Sequence, residues 1–230
     1  MFDFLTLAAI TLGPIAAICI YFYVKDSFRE EPIGVLFFCF LFGMISTIPA
    51  ALFETFMVPY TNDMDNFILR NVFSAYLIIG FSEEFVKFFI LRFYVEKQTA
   101  FDEPFDGIVY SVFISMGFAT LENIAYVYDG GIRVALSRMY TAIPAHATFA
   151  VLMGHFYGLS KMKRYPSSTK YLGLLIAIIF HGSYDFFLMI SNNTLIALGA
   201  FVSLLVGIRY SFRAIKIHKE LEAQQQNHFD

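Results

Sequence analysis

The stretch FSEEFVKFF, residues 81–89, places Glu83, Glu84 and Lys87 among phenylalanine and aliphatic side chains. The apolar segment around it, 72–91, has the length of about 20 residues that a membrane-spanning helix needs. A charged side chain near the centre of a bilayer costs about 3 kcal/mol or more unless it is paired or solvated, and it usually marks function. The stretch therefore predicts a membrane-spanning helix with a functional site inside it.

The composition of the chain is that of a membrane protein. Of its 230 residues, 58% are hydrophobic and 15% are charged, and the mean hydropathy is +0.62. Soluble domains carry about 25% charged residues. The net charge is only −3, and no basic cluster indicates a nucleic-acid partner. We therefore expect the chain to lie in a lipid bilayer and not to bind nucleic acid.

Seven apolar segments, separated by short polar connections, run through the chain. We predict an all-α fold, a polytopic membrane helix bundle of about seven transmembrane helices, built as a single domain over residues 1–212. Residues 213–230 are expected to form a cytoplasmic tail that is amphipathic or disordered. The seven segments are 4–24, 33–53, 72–91, 107–127, 139–160, 171–190 and 195–212.

The distribution of basic residues predicts the orientation of the bundle. The alternate connections 25–32, 92–106 and 161–170, together with the tail, hold 12 of the 16 Lys and Arg residues. The opposite set of loops holds 3, and Lys87 lies within a segment. Because cytoplasmic loops are enriched in Lys and Arg, we expect the N-terminus outside and the C-terminus in the cytoplasm.

Ionisable groups recur at one depth in four of the segments. With a rise of about 1.5 Å per residue, they lie about 8–18 Å below the outer surface. The second and seventh segments carry no ionisable group well inside, and His155, near a cytoplasmic end, is interpreted as structural or interfacial. Lys87 lies one helical turn from both glutamates of its segment, so it can neutralise one while the other faces a cavity. The groups at this depth are Glu83, Glu84, Glu122, His146, His181 and Asp185, with Asn123 beside them.

These residue types support a hydrolase. Histidines and carboxylates on separate helices are the ligands that a zinc ion takes, and a nearby glutamate can accept the proton of a zinc-bound water. A metal-free alternative stays open, in which a glutamate activates water while His and Asn stabilise the oxyanion. The HExxH signature of many zinc proteases is absent, since His181 is followed by glycine.

Four motifs, in order on successive segments, resemble the PrsW family of intramembrane proteases. This family is part of a wider group that includes CAAX-processing and bacteriocin-processing membrane proteases. The motifs are SEEFVK, FATLEN, PAHATFAVLMG and HGSYDF, and the resemblance covers residues 30–210. The family pattern EExxK matches Glu83, Glu84 and Lys87, and FxxxEN matches Phe118, Glu122 and Asn123. The single His of the third motif matches His146, and HxxxD matches His181 and Asp185.

The resemblance implies an intramembrane endopeptidase of a bacterial plasma membrane. Its expected reaction is site-1 cleavage of a membrane-anchored protein such as an anti-sigma factor.

Two other classes of membrane protein also carry Glu, His and Lys inside the membrane, namely proton-coupled transporters and non-catalytic membrane scaffolds. A transporter would show inverted repeats, and we detect none. A scaffold would tolerate missing motif residues, and every one is present.

We expect a distinct role for each motif residue. One of the two adjacent glutamates is the general base, with Glu84 preferred, and the lysine tunes the pair. The asparagine donates to the oxyanion, and the aspartate is a fourth ligand or orients a histidine. Zn²⁺ is the expected cofactor. The catalytic candidates are Glu83, Glu84, Lys87 and Asn123, and the metal candidates are Glu122, His146, His181 and Asp185.

Overall fold

The computed structural model describes residues 4–26, 31–191 and 194–226, and these parts form an all-helical bundle. The predicted connection 25–32, the polar turn at 191–194 and the end of the tail at 227–230 lie wholly or partly outside the described residues. The α-helices are α1 Phe4–Lys25, α2 Ile33–Asn62, α3 Phe67–Val72, α4 Phe81–Phe93, α5 Asp106–Tyr140, α6 Ala142–Leu159, α7 Thr169–Met189 and α8 Thr194–Gln226. A π-helix, Phe73–Gly80, joins α3 to α4, and a 3-10 turn, Val95–Lys97, follows α4.

Several helices are longer than the predicted segments. Helix α2 continues to Asn62, and α8 runs without interruption through the described part of the predicted tail. Helix α5 extends to Tyr140 with a break in helical geometry at Gly131. Within the described ranges, five stretches are long and apolar enough to cross a membrane: Thr6–Lys25, Ile33–Asn62, Asp106–Leu159, Thr169–Met189 and Leu198–Glu220. The count of seven spans and their orientation stay predictions.

A labelling experiment tests the orientation. A cysteine placed at Lys163 should react with a membrane-impermeant reagent only from the cytoplasmic side, and labelling from outside would refute the predicted orientation.

Close contacts between backbones hold α2, α5 and α6 together. A Cβ added to Gly43 of α2 would lie 2.0 Å from the carbonyl oxygen of Ile114, and one added to Gly117 of α5 would lie 2.0 Å from that of Phe40. Gly43 lies opposite Ile114 and Gly117 lies opposite Phe40, so α2 and α5 run antiparallel. Only glycine permits the two backbones to come this close. Ser115 of α5 donates to the carbonyl of His146 on α6, 3.0 Å away, which fixes the register of the next pair.

The end of the bundle that we predict to be cytoplasmic buries several carboxyl groups. Glu31, which precedes α2, is 4% exposed and accepts a hydrogen bond from Tyr110. Burial, and then the neighbouring Asp106, Asp26 and Asp102, raise the pKa of Glu31 from 4.5 to about 9. The folded protein therefore holds this proton across a pH range in which the unfolded chain has released it.

This raised pKa predicts that stability falls as the pH rises. The contribution of Glu31 is complete below its unfolded pKa of 4.5 and is lost on approach to pH 9. Glu31→Gln should therefore lose less thermal stability in detergent across this range than the unmodified protein. Glu96→Gln is the control: burial of Glu96 is outweighed by hydrogen bonds from Tyr157 and Lys170, which lower its pKa. Equal alkaline losses in wild type and Glu31→Gln would contradict the prediction.

Candidate active site

A cavity of about 600 Å³ lies between α2, α4, α5, α6 and α7. Its walls are partly apolar, with Phe118 and Phe149 among them. Charged and polar side chains from all five helices nevertheless reach it, although their positions are far apart in the chain. The ionisable residues that line it are Glu54, Glu83, Glu122, Arg138, His146, His181 and Asp185.

The local structure before Glu83 explains how α4 reaches α7. The π-helix Phe73–Gly80 directly precedes α4, and π-helical turns occur frequently at functional sites. A Cβ at Gly80 would lie 2.9 Å from the carbonyl oxygen of Ala75 and 3.2 Å from the backbone nitrogen of Gly182. Since glycine leaves this space free, α4 lies close enough to α7 for their polar side chains to meet.

Lys87 joins the two glutamates to α6. Its Nζ lies 2.8 Å from Glu84 Oε1 and 3.3 Å from Glu83 Oε2, as the helical spacing predicts. The same Nζ lies 3.3 Å from Nδ1 of His146 and 4.2 Å from the ring centre of Phe118. The ammonium thus has a hydrogen-bond acceptor for each of its three N–H bonds.

Each site histidine is held by carboxylates. Nδ1 of His181 donates to Glu84 Oε1 at 2.8 Å, and its Nε2 lies 3.2 Å from Asp185 Oδ2. Phe149 stacks on the His181 ring, with centres 4.9 Å apart. When Lys87 donates to Nδ1 of His146, the hydrogen of that ring is on Nε2, which then donates to Glu122 at 2.7 Å.

Glu83 and Glu84 face different surroundings. Glu83 lines the cavity, and its Oε2 is 3.9 Å from Nε2 of His181. Glu84 is fully buried behind it, between Lys87 and His181. Its Oε2 has no hydrogen-bond partner among the described residues. The geometry therefore favours Glu83 for contact with a substrate, whereas the sequence favoured Glu84.

Two groups of side chains in the site could each hold a metal ion. Within each group, one nitrogen or oxygen atom of every residue lies within 4.8 Å of the others. Glu83 is common to both groups, and the rings of His146 and His181 are 5.6 Å apart centre to centre. The groups are Glu83, Glu84 and His181, and Glu83, Glu122 and His146.

Two ionisable residues of the cavity were missed from the sequence. Glu54 lies inside α2, so the expectation that the second segment has no internal ionisable group was wrong, because the helix does not end at residue 53. Its Oε1 accepts a hydrogen bond from Ser82 at 2.9 Å. Arg138 was assigned to an outer loop, but it lies in the last part of α5, after a break in helical geometry at Gly131. The isolated Glu in ALFETFMVP was the available signal for Glu54.

Asn123 is placed differently from its predicted surroundings, whereas His155 makes a structural contact away from the site, as predicted. Asn123 is buried, does not line the cavity, and accepts a hydrogen bond from Arg138. His155 contacts no residue of the site in the described parts; its Nδ1 is 2.8 Å from Nε2 of His218, a pair that joins α6 to α8. The other motif residues meet at or directly behind the cavity.

Comparisons with known proteins show the family of the chain. The model of the PrsW family of intramembrane metalloproteases matches residues 31–209. The chain is 34% identical over 195 residues to Protease PrsW of Geobacillus kaustophilus, covering 83% of each chain. It is also 34% identical over 184 residues to that of Bacillus subtilis, covering 79% of this chain and 82% of the relative. No solved structure matches. The chain is therefore a multi-pass membrane protein, and it belongs to the PrsW family of intramembrane metalloproteases.

Proposed function

We propose that this chain is a zinc-dependent endopeptidase that cleaves single-pass membrane proteins, with an anti-sigma factor as the expected substrate of a site-1 cleavage. The main support is that two histidines and three glutamates from four helices meet at or directly behind one cavity. Membership of a metalloprotease family supports a metal-dependent reaction. The choice of zinc rests on the donor atoms.

The donor atoms of the site fit a zinc ion. Imidazole nitrogen and carboxylate oxygen are both zinc ligands, and catalytic zinc sites combine about three protein ligands with a water molecule. We assign Glu122, His146 and His181 as the three ligands. Asp185, whose Oδ2 lies 3.2 Å from Nε2 of His181, is either a fourth ligand or the residue that orients His181. Nδ1 of His181 donates to Glu84, the kind of contact that orients a metal-binding histidine. Glu84 is therefore assigned as a positioning residue.

Glu83 is assigned as the general base. It lines the cavity, whereas Glu84 does not, and Lys87 lies 3.3 Å from its Oε2. When bound, a zinc ion at this site would polarise the peptide carbonyl and activate a water molecule. Glu83 accepts one proton as the water oxygen bonds to the carbonyl carbon, and it returns that proton to the nitrogen when the C–N bond breaks.

The position of the site supports a membrane-anchored substrate. An intramembrane protease acts on substrates that are held in the bilayer, and the sequence predicts that the site lies in the outer half of the membrane. A scissile bond near the outer end of a single transmembrane segment could reach it there. An anti-sigma factor with one transmembrane segment is the substrate that the family resemblance suggests, and this choice is a proposal.

Reconstitution with a defined substrate tests the function. Purified protein in liposomes should bind about one zinc ion per chain and cleave a single-pass anti-sigma factor. Cleavage should stop when a chelator removes the metal and resume when Zn²⁺ is added. An unrelated single-pass protein is the substrate control, and equal cleavage of both would refute the specific substrate. Cleavage that resists metal removal would instead favour the mechanism in which glutamate alone activates water.

A further inference from the structure

Arg138 enters the site through a reversal of the chain that the sequence does not reveal. It lies 15 residues after Asn123, a distance of about 22 Å along a straight helix. Its Nε nevertheless donates a hydrogen bond to the Asn123 side chain. Gly131, with φ +64°, is the point at which α5 departs from helical geometry. Because that φ favours glycine, we conclude that residues 132–140 fold back over the outer part of α5 at Gly131.

Three contacts fix the guanidinium of Arg138. Its Nε bonds to Asn123, and its Nη2 lies 2.9 Å from Oε2 of Glu122. Nη2 has no hydrogen-bond partner among the described residues, so its contact with Glu122 is an ion pair. The guanidinium also lies over the ring of Tyr126, 4.1 Å from its centre. The side chain is only 14% exposed, so its charge is poorly screened by solvent.

The same oxygen of Glu122 is shared with His146. Nε2 of His146 lies 2.7 Å from Oε2 of Glu122, so Arg138 and His146 hold one carboxylate from two sides. Without Arg138, this half-buried carboxylate would lose its ion-pair partner and could turn away from the site. Asn123, adjacent on the same helix, anchors the guanidinium from behind.

We propose that Arg138 is a positioning residue of the active site, which orients the Glu122 carboxylate toward the metal through its ion pair. The role rests on the proposed metal-dependent function. Arg138 itself is outside the four motifs, and it acts through Glu122 rather than on the substrate. Asn123 is then the residue that anchors Arg138, which explains why it is buried behind the cavity.

Metal affinity and spectroscopy test the role independently of cleavage. Arg138→Gln should weaken metal binding by about 10- to 100-fold, the usual effect of losing a group that orients a ligand. It should also change the visible absorption spectrum of the Co²⁺-substituted protein. Arg138→Lys should recover part of the affinity, because lysine retains the charge but not the planar contact with both Glu122 and Asn123. Arg133→Gln is the matched control, since Arg133 is an exposed arginine on the same segment.

Chemical rescue separates positioning from misfolding. In Arg138→Ala, added guanidinium ion should restore part of the metal affinity, while it should not affect Arg133→Ala. Wild-type metal affinity and an unchanged Co²⁺ spectrum in Arg138→Gln would overturn the proposal. An Arg138→Ala protein that binds less metal but gains nothing from guanidinium would do so too. A wild-type protein that binds no metal would refute the proposed function instead.

Discussion

Glu83→Gln is expected to lower the rate of substrate cleavage by about 100- to 10,000-fold, the range that a general base contributes. Glutamine has nearly the same shape but cannot accept the proton of the attacking water. Metal binding should persist, because the proposed ligands are other residues. The measurement is the initial rate of cleavage in liposomes at saturating Zn²⁺.

Glu84→Gln should have a different effect, and the pair of variants decides between the two glutamates. Glu84 is buried and bonded to His181, so its loss should weaken metal binding by about 10- to 100-fold, and excess Zn²⁺ should restore much of the activity. Glu96→Gln is the control, since Glu96 is bonded to Lys170 and Tyr157, away from the cavity. If Glu84→Gln stays inactive with bound metal while Glu83→Gln cleaves, the general base is Glu84.

The double variant His146→Ala, His181→Ala is expected to reduce the bound metal from about one ion per chain to almost none, and to abolish cleavage. Removing two ligands from separate helices leaves carboxylates alone, which bind zinc poorly at the same site. Elemental analysis of the purified protein measures the loss, and the thermal unfolding temperature in detergent shows whether the bundle remains folded.

His155→Ala is the matched control for this experiment. Like the two site histidines, His155 is buried in the bundle, but it pairs with His218 and does not line the cavity. We expect His155→Ala to keep its metal even if it is less stable. Full metal content in the double variant would exclude both site histidines as ligands.

The membrane class and the helical segments could be predicted from the sequence because they follow from local properties. An apolar run of about 20 residues must satisfy its backbone hydrogen bonds internally, so it forms a helix wherever it lies in the bilayer. Lys87 could be paired with both glutamates for a similar reason, since its separation from each of them is one helical turn. Helix ends were less predictable: Glu54 lay beyond a predicted end, yet α2 continues past it.

The choice between Glu83 and Glu84 could not be made from the sequence. Adjacent residues on a helix differ in direction by about 100°, so the rotation of α4 against its neighbours decides which one faces the cavity. That rotation depends on the close packing of Gly80 against Gly182, two positions 102 residues apart in the chain. Arg138 was missed for a related reason, because its approach to Glu122 requires the reversal at Gly131.

The sequence by itself determined that the chain is a set of membrane helices with acids, imidazoles and one lysine inside apolar segments. It did so because burial costs and helical spacing act over a few residues. Only the tertiary structure decided which of these groups touch: Glu84 and His181 are 97 positions apart in the chain. Contacts of that kind depend on how helices pack and rotate against each other, and no local pattern encodes that geometry.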